Sequence, residues 1–239
     1  MLHFVSLLAH VLSEYDIACS ILRVLYAMKR LLDLLFAAAA VFLTALPCLF
    51  IAAAVKLTSR GPILYWSDRI GRDNRHFLMP KFRSMRIDTP EVASHLLVDS
   101  RRWLTPIGRF LRSTSLDELP QLWCILTGSM TLVGPRPALF NQHDLIALRT
   151  TSGVHKLTPG LTGWAQIRGR DDFTTAQKAE ADAWYARHQS LALDLRILFA
   201  TALQVVHADG TQSARTRNSS VAPKSSETQQ NAADGMRAA

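Results

Sequence analysis

The stretch LLDLLFAAAAVFLTALPCLFIAAAV, from Leu31 to Val55, decides what kind of fold this chain can have. It runs 25 residues with a single charge, Asp33, and about 20 apolar residues are enough for a helix to cross a bilayer. Two features work against a simple crossing. Pro47 lies inside the run, where a proline removes a backbone hydrogen bond and kinks a helix. Cations flank both ends, Lys29 and Arg30 before and Lys56 and Arg60 after, and basic flanks prefer the cytosolic side. A re-entrant helix that enters the cytosolic leaflet, breaks at Pro47 and returns to the same face satisfies both features. A bent single-pass anchor also satisfies the composition, and the residues leave both standing.

Outward from this run, residues 1–28 lack a basic start and carry Glu14 and Asp16, which argues against a signal peptide and for an interfacial amphipathic helix. After it, Ser59-Arg60-Gly61-Pro62 is a turn cluster. Short strands are expected over 62–66 and 76–79, around the polar turn Gly71–Arg75. Helical periodicity marks 91–104, 139–149 and 174–188, and 191–206 is expected as a buried or interfacial helix. From about Ala208 the chain turns to small polar residues and is expected to be a disordered tail. The expected fold is α+β and mainly helical: an extension (1–28), a membrane-embedded helix (29–57), a small cytosolic domain (58–206) and a tail (207–239).

The whole-chain numbers agree. With 239 residues there is room for one sizeable domain and an appendage. At 49% hydrophobic and 19% charged, the chain is too apolar to be disordered and too charged to be polytopic. A net charge of +8 suits partners that carry phosphate. Cys19, Cys48 and Cys124 are too far apart for a zinc or disulfide framework, as in a reduced, cytosol-facing protein.

The residues best suited to chemistry lie in Thr114-Ser115-Leu116-Asp117-Glu118-Leu119-Pro120-Gln121-Leu122-Trp123. Proline fits a helix only in its first turn, which puts the N-cap at or near Asp117 and the helix end at Gly128. An Asp at an N-cap needs no catalytic role. Yet adjacent carboxylates at a positive helix end, preceded by Arg109 and Arg112, are expected to be held ionised. An ionised Asp117 can attack phosphorus, and Glu118 can help hold a divalent cation. Further cations in Lys81-Phe82-Arg83-Ser84-Met85-Arg86, Gly134-Pro135-Arg136-Pro137 and Arg168-Gly169-Arg170 can capture phosphate oxygens. Each basic run also reads as a solvated face or a lipid headgroup contact.

Several motifs in order carry a family resemblance: Lys29-Arg30-Leu31-Leu32-Asp33, Arg69-Ile70-Gly71, Lys81–Met85, Gly108–Arg112, Thr114–Leu122, Leu132–Pro137, Pro159–Ile167 and Leu193–Leu198. The chain resembles the bacterial sugar transferases, monotopic polyprenyl-phosphate phosphoglycosyl transferases. The resemblance implies transfer of a sugar phosphate from a UDP-sugar to undecaprenyl phosphate with release of UMP. It implies a bacterial inner-membrane location with the catalytic domain on the cytosolic face, where surface glycan assembly begins. It also implies a Mg²⁺ requirement, Asp117 as the covalent nucleophile, and Glu118 as its metal or positioning partner. Arg112 and Arg136 occupy family positions associated with binding phosphate, and Pro47 matches the family's membrane-helix break; Lys81 and Arg83 are further candidate phosphate contacts, and Gln166 and Arg168 candidate substrate contacts. Arg168 stands where many members carry Asn. A homodimer is compatible with the sequence but not required by it. A basic membrane-anchored scaffold or a nucleic-acid binder is the competing reading of +8. No reader motif for nucleic acid occurs, so no nucleic-acid partner is expected. No P-loop or dinucleotide fingerprint is found either.

Overall fold

In a computed structural model, the backbone is described for residues 2–90, 100–169 and 173–218, and side chains for 20, 23–90, 102–169 and 173–204. The apolar run belongs to one long helix, α1 (Leu2–Thr58). Helical structure passes without interruption from residue 28 to 29, so the extension and the apolar run share one element. It also continues through Pro47. The expected break at Pro47 is corrected to that extent: a proline forfeits its own N–H bond, and the turns on either side carry the helix on. Just ahead of it, the Thr44 hydroxyl donates to the Ala40 carbonyl at 2.6 Å.

The domain after α1 is α+β and mainly helical. Its elements are β1 (Leu64–Ile70), β2 (His76–Phe82), α2 (Gly108–Ser113), α3 (Leu122–Thr127), β3 (Thr131–Val133), β4 (Ala138–Leu139), α4 (His143–Thr151), β5 (Gly160–Thr162), α5 (Trp164–Gly169), α6 (Thr175–Arg187) and α7 (Leu191–Asn218). The expected strands are present and longer than the apolar runs suggested. They form an antiparallel hairpin from Leu64↔Phe82 to Ile70↔His76. The turn between them places Asp73 and Asn74 at positive φ, which Asp and Asn tolerate well. Strand β4 adds to β1 on the other edge, giving the order β2-β1-β4. The helix expected from 139 starts later, as α4, because Ala138 and Leu139 are taken into that edge strand. Of the helix expected over 91–104, Ser100–Trp103 form a 3-10 turn, and 91–99 lie outside the described residues.

Strands β3 and β5 pair in parallel. Their approach requires glycine: a Cβ on Gly160 would fall 2.1 Å from the Gly134 backbone nitrogen. Helix α6 opens with a capping box between Thr174 and Gln177, close to the expected start. Helix α7 runs on to Asn218, past the expected start of the tail at 207; residues 219–239 lie outside the described residues.

Helix α1 lies along this domain. Buried Asp33, Ala37, Ile51 and Val55, with half-buried Ala40, Thr44 and Cys48 between them, make a narrow stripe at helical spacing. Ala37 packs with Met79, Leu122 and Ile125, and Ile51 and Val55 pack with Phe82 and Leu111. The other faces are equally apolar and exposed: Phe42, Leu43, Leu46, Leu49 and Phe50 are all uncovered. A helix that is apolar all round belongs in a protein core or a membrane, and only the stripe is in the core. The polar residues near its start fasten it to the domain. The Asp33 carboxylate accepts from the Thr131 hydroxyl at 2.5 Å and from the Leu132 N–H at 3.2 Å. Lys29 pairs with Asp194 at 2.5 Å and donates to the Val133 carbonyl at 2.9 Å. Arg30 donates to the Ile125 and Leu126 carbonyls in the last turn of α3, where a cation suits the helix end.

Candidate active site

The carboxylate pair sits in a tight turn of helix. Ser115 is left-handed (φ 58) directly after α2, and a 3-10 segment Leu116–Gln121 follows, leading into α3. The N-cap is Ser115, close to Asp117 as proline placement suggested, because the left-handed residue reverses the chain two positions sooner. The expected end is correct, with Gly128 at φ 90 closing α3.

Glu118 is gripped by two cations from different elements. Lys81, on β2, donates to Oε1 at 2.9 Å, and Arg136, from the loop after β3, donates to the same oxygen at 2.5 Å. The Arg136 loop is itself held in place. Arg149 donates to the Arg136 carbonyl at 2.8 Å while paired with the buried Asp182 at 2.6 Å. Arg69 donates to the Pro137 carbonyl at 3.2 Å and to the Ser67 hydroxyl at 2.8 Å. Burial and the neighbouring Arg136 lower the Arg69 pKa to about 10. Arg69, Arg149 and Asp182 escaped the residue-by-residue reading. A lone Arg on a strand and charges on amphipathic helices carry no local sign of such a task, although Arg69 falls inside one of the family motifs.

The two carboxyls diverge. Burial would raise the Glu118 pKa, but Arg136 and Lys81 overcome it and hold the group well below the ordinary range. Asp117 is pushed up instead, chiefly by burial and further by the Glu118 charge, against the pull of Lys81 and Arg112. The same cluster thus sets the two apart, holding Glu118 as a fixed anion and making Asp117 the more basic of the pair. Asp117 is 7% exposed, and the Arg136 side chain, which grips the neighbouring Glu118, is 38% exposed.

Of the residues singled out for phosphate and substrate, Lys81 and Arg136 meet Glu118, and Arg112 acts on Asp117 while its Nη1 lies 3.6 Å from the Met85 Sδ. Arg83 lies elsewhere: its Nη2 donates to the Ser59 carbonyl at 2.9 Å and hydroxyl at 2.7 Å, at the end of α1. Gln166 donates to the Leu161 carbonyl at 3.2 Å. Arg168 lies over the Trp164 ring at 4.5 Å, beside a stack of Trp164, Trp184 and His188. Arg170 lies outside the described residues.

The donor set can be tested against a divalent cation. Among the described residues no group of three or more His, Cys, Asp or Glu converges. Mg²⁺ does not need one, since it is commonly held by one or two carboxylates together with substrate phosphates and water. Asp117 enters no ion pair among the described residues, and Glu118 Oε2 has only a 3.5 Å contact with Arg136. Two hard oxygen donors therefore fit Mg²⁺.

A family model described as bacterial sugar transferase matches residues 24–208. The uncharacterized sugar transferase EpsL of Bacillus subtilis (strain 168) is 41% identical over 190 residues, covering 77% of this chain and 90% of that protein. A UDP-glucose:undecaprenyl-phosphate glucose-1-phosphate transferase of Escherichia coli (strain K12) is 38% identical over 182 residues, covering 73% of this chain and 39% of the relative. An undecaprenyl-phosphate galactose phosphotransferase of Salmonella typhimurium is 38% identical over 168 residues, covering 63% of this chain and 34% of the relative. The chain thus matches nearly all of EpsL and less than two fifths of the other two.

Proposed function

The chain belongs to the bacterial sugar transferase family, and on that premise we propose that it moves a sugar phosphate from a UDP-sugar to undecaprenyl phosphate at the cytosolic face of a bacterial inner membrane, as the first step of a surface glycan. In the first half-reaction a carboxylate oxygen of Asp117 attacks the sugar-bearing phosphorus. The bond from that phosphorus to the bridging oxygen breaks, and UMP leaves with the electron pair. In the second, a phosphate oxygen of undecaprenyl phosphate attacks the same phosphorus and displaces Asp117, leaving a sugar-diphosphate lipid. Two substrates, one soluble and one lipid, then use one site in turn.

The observation that carries this reading is the placing of the adjacent carboxyls: Asp117 nearly buried, beside a Glu118 gripped by Lys81 and Arg136. A nucleophile toward a diphosphate must be basic, yet approach a centre rich in negative charge. Asp117 has the raised basicity, while Lys81, Arg112 and Arg136 supply the positive field. Glu118 neutralises and positions Lys81 and Arg136 until substrate phosphate shares them. Asp117 and Glu118 would hold Mg²⁺, which supplies charge neutralisation at the phosphates when bound. The geometry of α1 supports the monotopic placement. Asp33 and Val55 both pack on the domain, roughly 33 Å apart at 1.5 Å per residue. A straight crossing of a core about 30 Å thick would carry one of them away from it.

Incubation with UDP-sugar alone tests the chemistry: mass spectrometry should find a phosphosugar adduct on Asp117 and one equivalent of UMP. UMP formed only when the acceptor is present, with no adduct at any time, would overturn the covalent route. Labelling of cysteines introduced on either side of Pro47 tests the placement, since both flanks should react from the cytosolic side.

A further inference from the structure

The end of α1 borders a second basic cavity, of about 550 Å³, whose walls include Arg60, Arg83, Arg86 and Arg102. None of Lys81, Asp117, Glu118 or Arg136 lines it. Its floor is unusual. Arg83 is only 5% exposed. One nitrogen, Nη2, is committed to Ser59, while Nε and Nη1 are buried and meet no acceptor among the described residues. The one carboxylate among the described lining residues, Asp88, is taken by Arg86 at 3.0 and 2.7 Å. Among the described lining residues, Asp88 is thus spent on Arg86, and the buried Arg83 has no carboxylate of its own. Burying donors without acceptors is unfavourable, and burying a cation without a counter-charge is more so. Burial accordingly lowers the Arg83 pKa. An anion in the cavity would supply the acceptor that Arg83 lacks among the described residues.

The cavity's position selects the anion. Leu57, in the last turn of α1, is 86% exposed, and Ile87 on the cavity wall is 68% exposed. Apolar side chains left open beside a ring of cations describe the level at which acyl chains give way to headgroups. We propose that this cavity binds the phosphate of an anionic membrane phospholipid, separate from the carboxylate pair. The proposal rests on α1 lying in a membrane but not on the transfer chemistry.

The test uses the full chain in nanodiscs of phosphatidylcholine with and without phosphatidylglycerol. Native mass spectrometry after detergent extraction counts the retained lipid. Wild type should retain phosphatidylglycerol, and Arg83→Met and Arg102→Gln should lower retention by about tenfold, the scale of one charged hydrogen bond. Arg83→Met also loses the Ser59 contact, so Arg60→Gln provides a second variant whose fold is checked by circular dichroism. Arg109→Gln, an exposed arginine outside the cavity, should change nothing. Equal losses in Arg109→Gln and the cavity variants would mean general surface attraction and overturn the site. Thermal protection by inorganic phosphate alone, dependent on Arg83, would overturn the lipid as source and leave a soluble phosphate as occupant. Asp117→Asn should retain lipid as wild type does, so failure of the transfer mechanism and failure of this site are separately visible.

Discussion

Converting each of the adjacent carboxylates to its amide should move stability in opposite directions. Glu118 is an anion between Arg136 at 2.5 Å and Lys81 at 2.9 Å, and its side chain is 23% exposed. Glu118→Gln leaves two cations without their counter-charge. Breaking a fully buried pair costs about 3–5 kcal/mol; the partial exposure here brings the expectation to about 2–3 kcal/mol. Asp117 is the reverse case, because burial works against its charge. Asparagine carries no charge to desolvate, so Asp117→Asn should leave stability unchanged or raise it by about 1 kcal/mol. At roughly 2–4 °C per kcal/mol for a domain of this size, Tm should fall by about 5–10 °C for Glu118→Gln and hold or rise by about 0–4 °C for Asp117→Asn. Thermal unfolding followed by tryptophan fluorescence in one detergent gives both numbers, and UMP release from the same samples should be lost in Asp117→Asn. The signs extend to pH. The Glu118 contribution is complete above its unfolded value of 4.5 and is lost as pH falls through its lower folded value, so the Glu118→Gln deficit should close in acid. The Asp117→Asn advantage should vanish below 3.8 and grow as pH rises through the raised folded value. Equal destabilisation by the two substitutions would refute the assignment, because Asp117 would then be a structural ion-pair partner rather than a strained nucleophile.

Substitutions at three further sites probe the supports. Asp33→Ala strands the Thr131 hydroxyl and the Leu132 N–H, and should cost about 2–4 kcal/mol in chemical denaturation, with Asp33→Asn milder because one acceptor survives. Gly160→Ala drives a methyl to 2.1 Å from the Gly134 nitrogen, where backbone on both sides resists; the parallel pair should be lost at a cost of at least about 3 kcal/mol, visible as protease sensitivity. Arg136→Lys keeps charge but gives up the planar fork, so the fold should survive while KM for UDP-sugar rises by about tenfold or more in steady-state kinetics.

Much of the hairpin and of α6 was legible because local rules determine them: apolar runs around a polar turn, and Thr174 three residues ahead of Gln177. The carboxylate pair was legible as chemistry but not as geometry. Proline placement put the N-cap at or near Asp117, and left-handed Ser115 fixes it two residues earlier. Nor could charge counting separate the two carboxyls, since the cations that divide them come from β2 and from the loop after β3, 37 and 18 residues away. Arg83 shows the opposite limit. It lies two residues from Lys81 in one basic run, yet the chain leaves the strand between them and sends the Arg83 guanidinium to Ser59 at the end of α1 and the Lys81 ammonium to Glu118.

The flanks of α1 show how the same residues can be read twice. As composition, Lys29 and Arg30 are topology signals, counted with Lys56 and Arg60 to place both ends on the cytosolic side. In the fold they are committed contacts: Lys29 to Asp194 and the Val133 carbonyl, Arg30 to the end of α3. Residues selected to dock a helix would be basic whichever way it ran, so their charge is weaker support for orientation than it first looks. The stronger support is that they dock at all. Lys29, Arg30 and Asp33 join the domain near the start of the apolar run, and Val55 joins it near the end. A domain that holds both ends supports the proposed placement of both on one side of the bilayer, independently of the flanking charges. If Lys29 and Arg30 serve docking first, Lys29→Gln with Arg30→Gln should loosen the domain from α1, seen as faster proteolysis between them, and leave the side from which introduced cysteines are labelled unchanged. A reversal of labelling would return these residues to the role of topology signals.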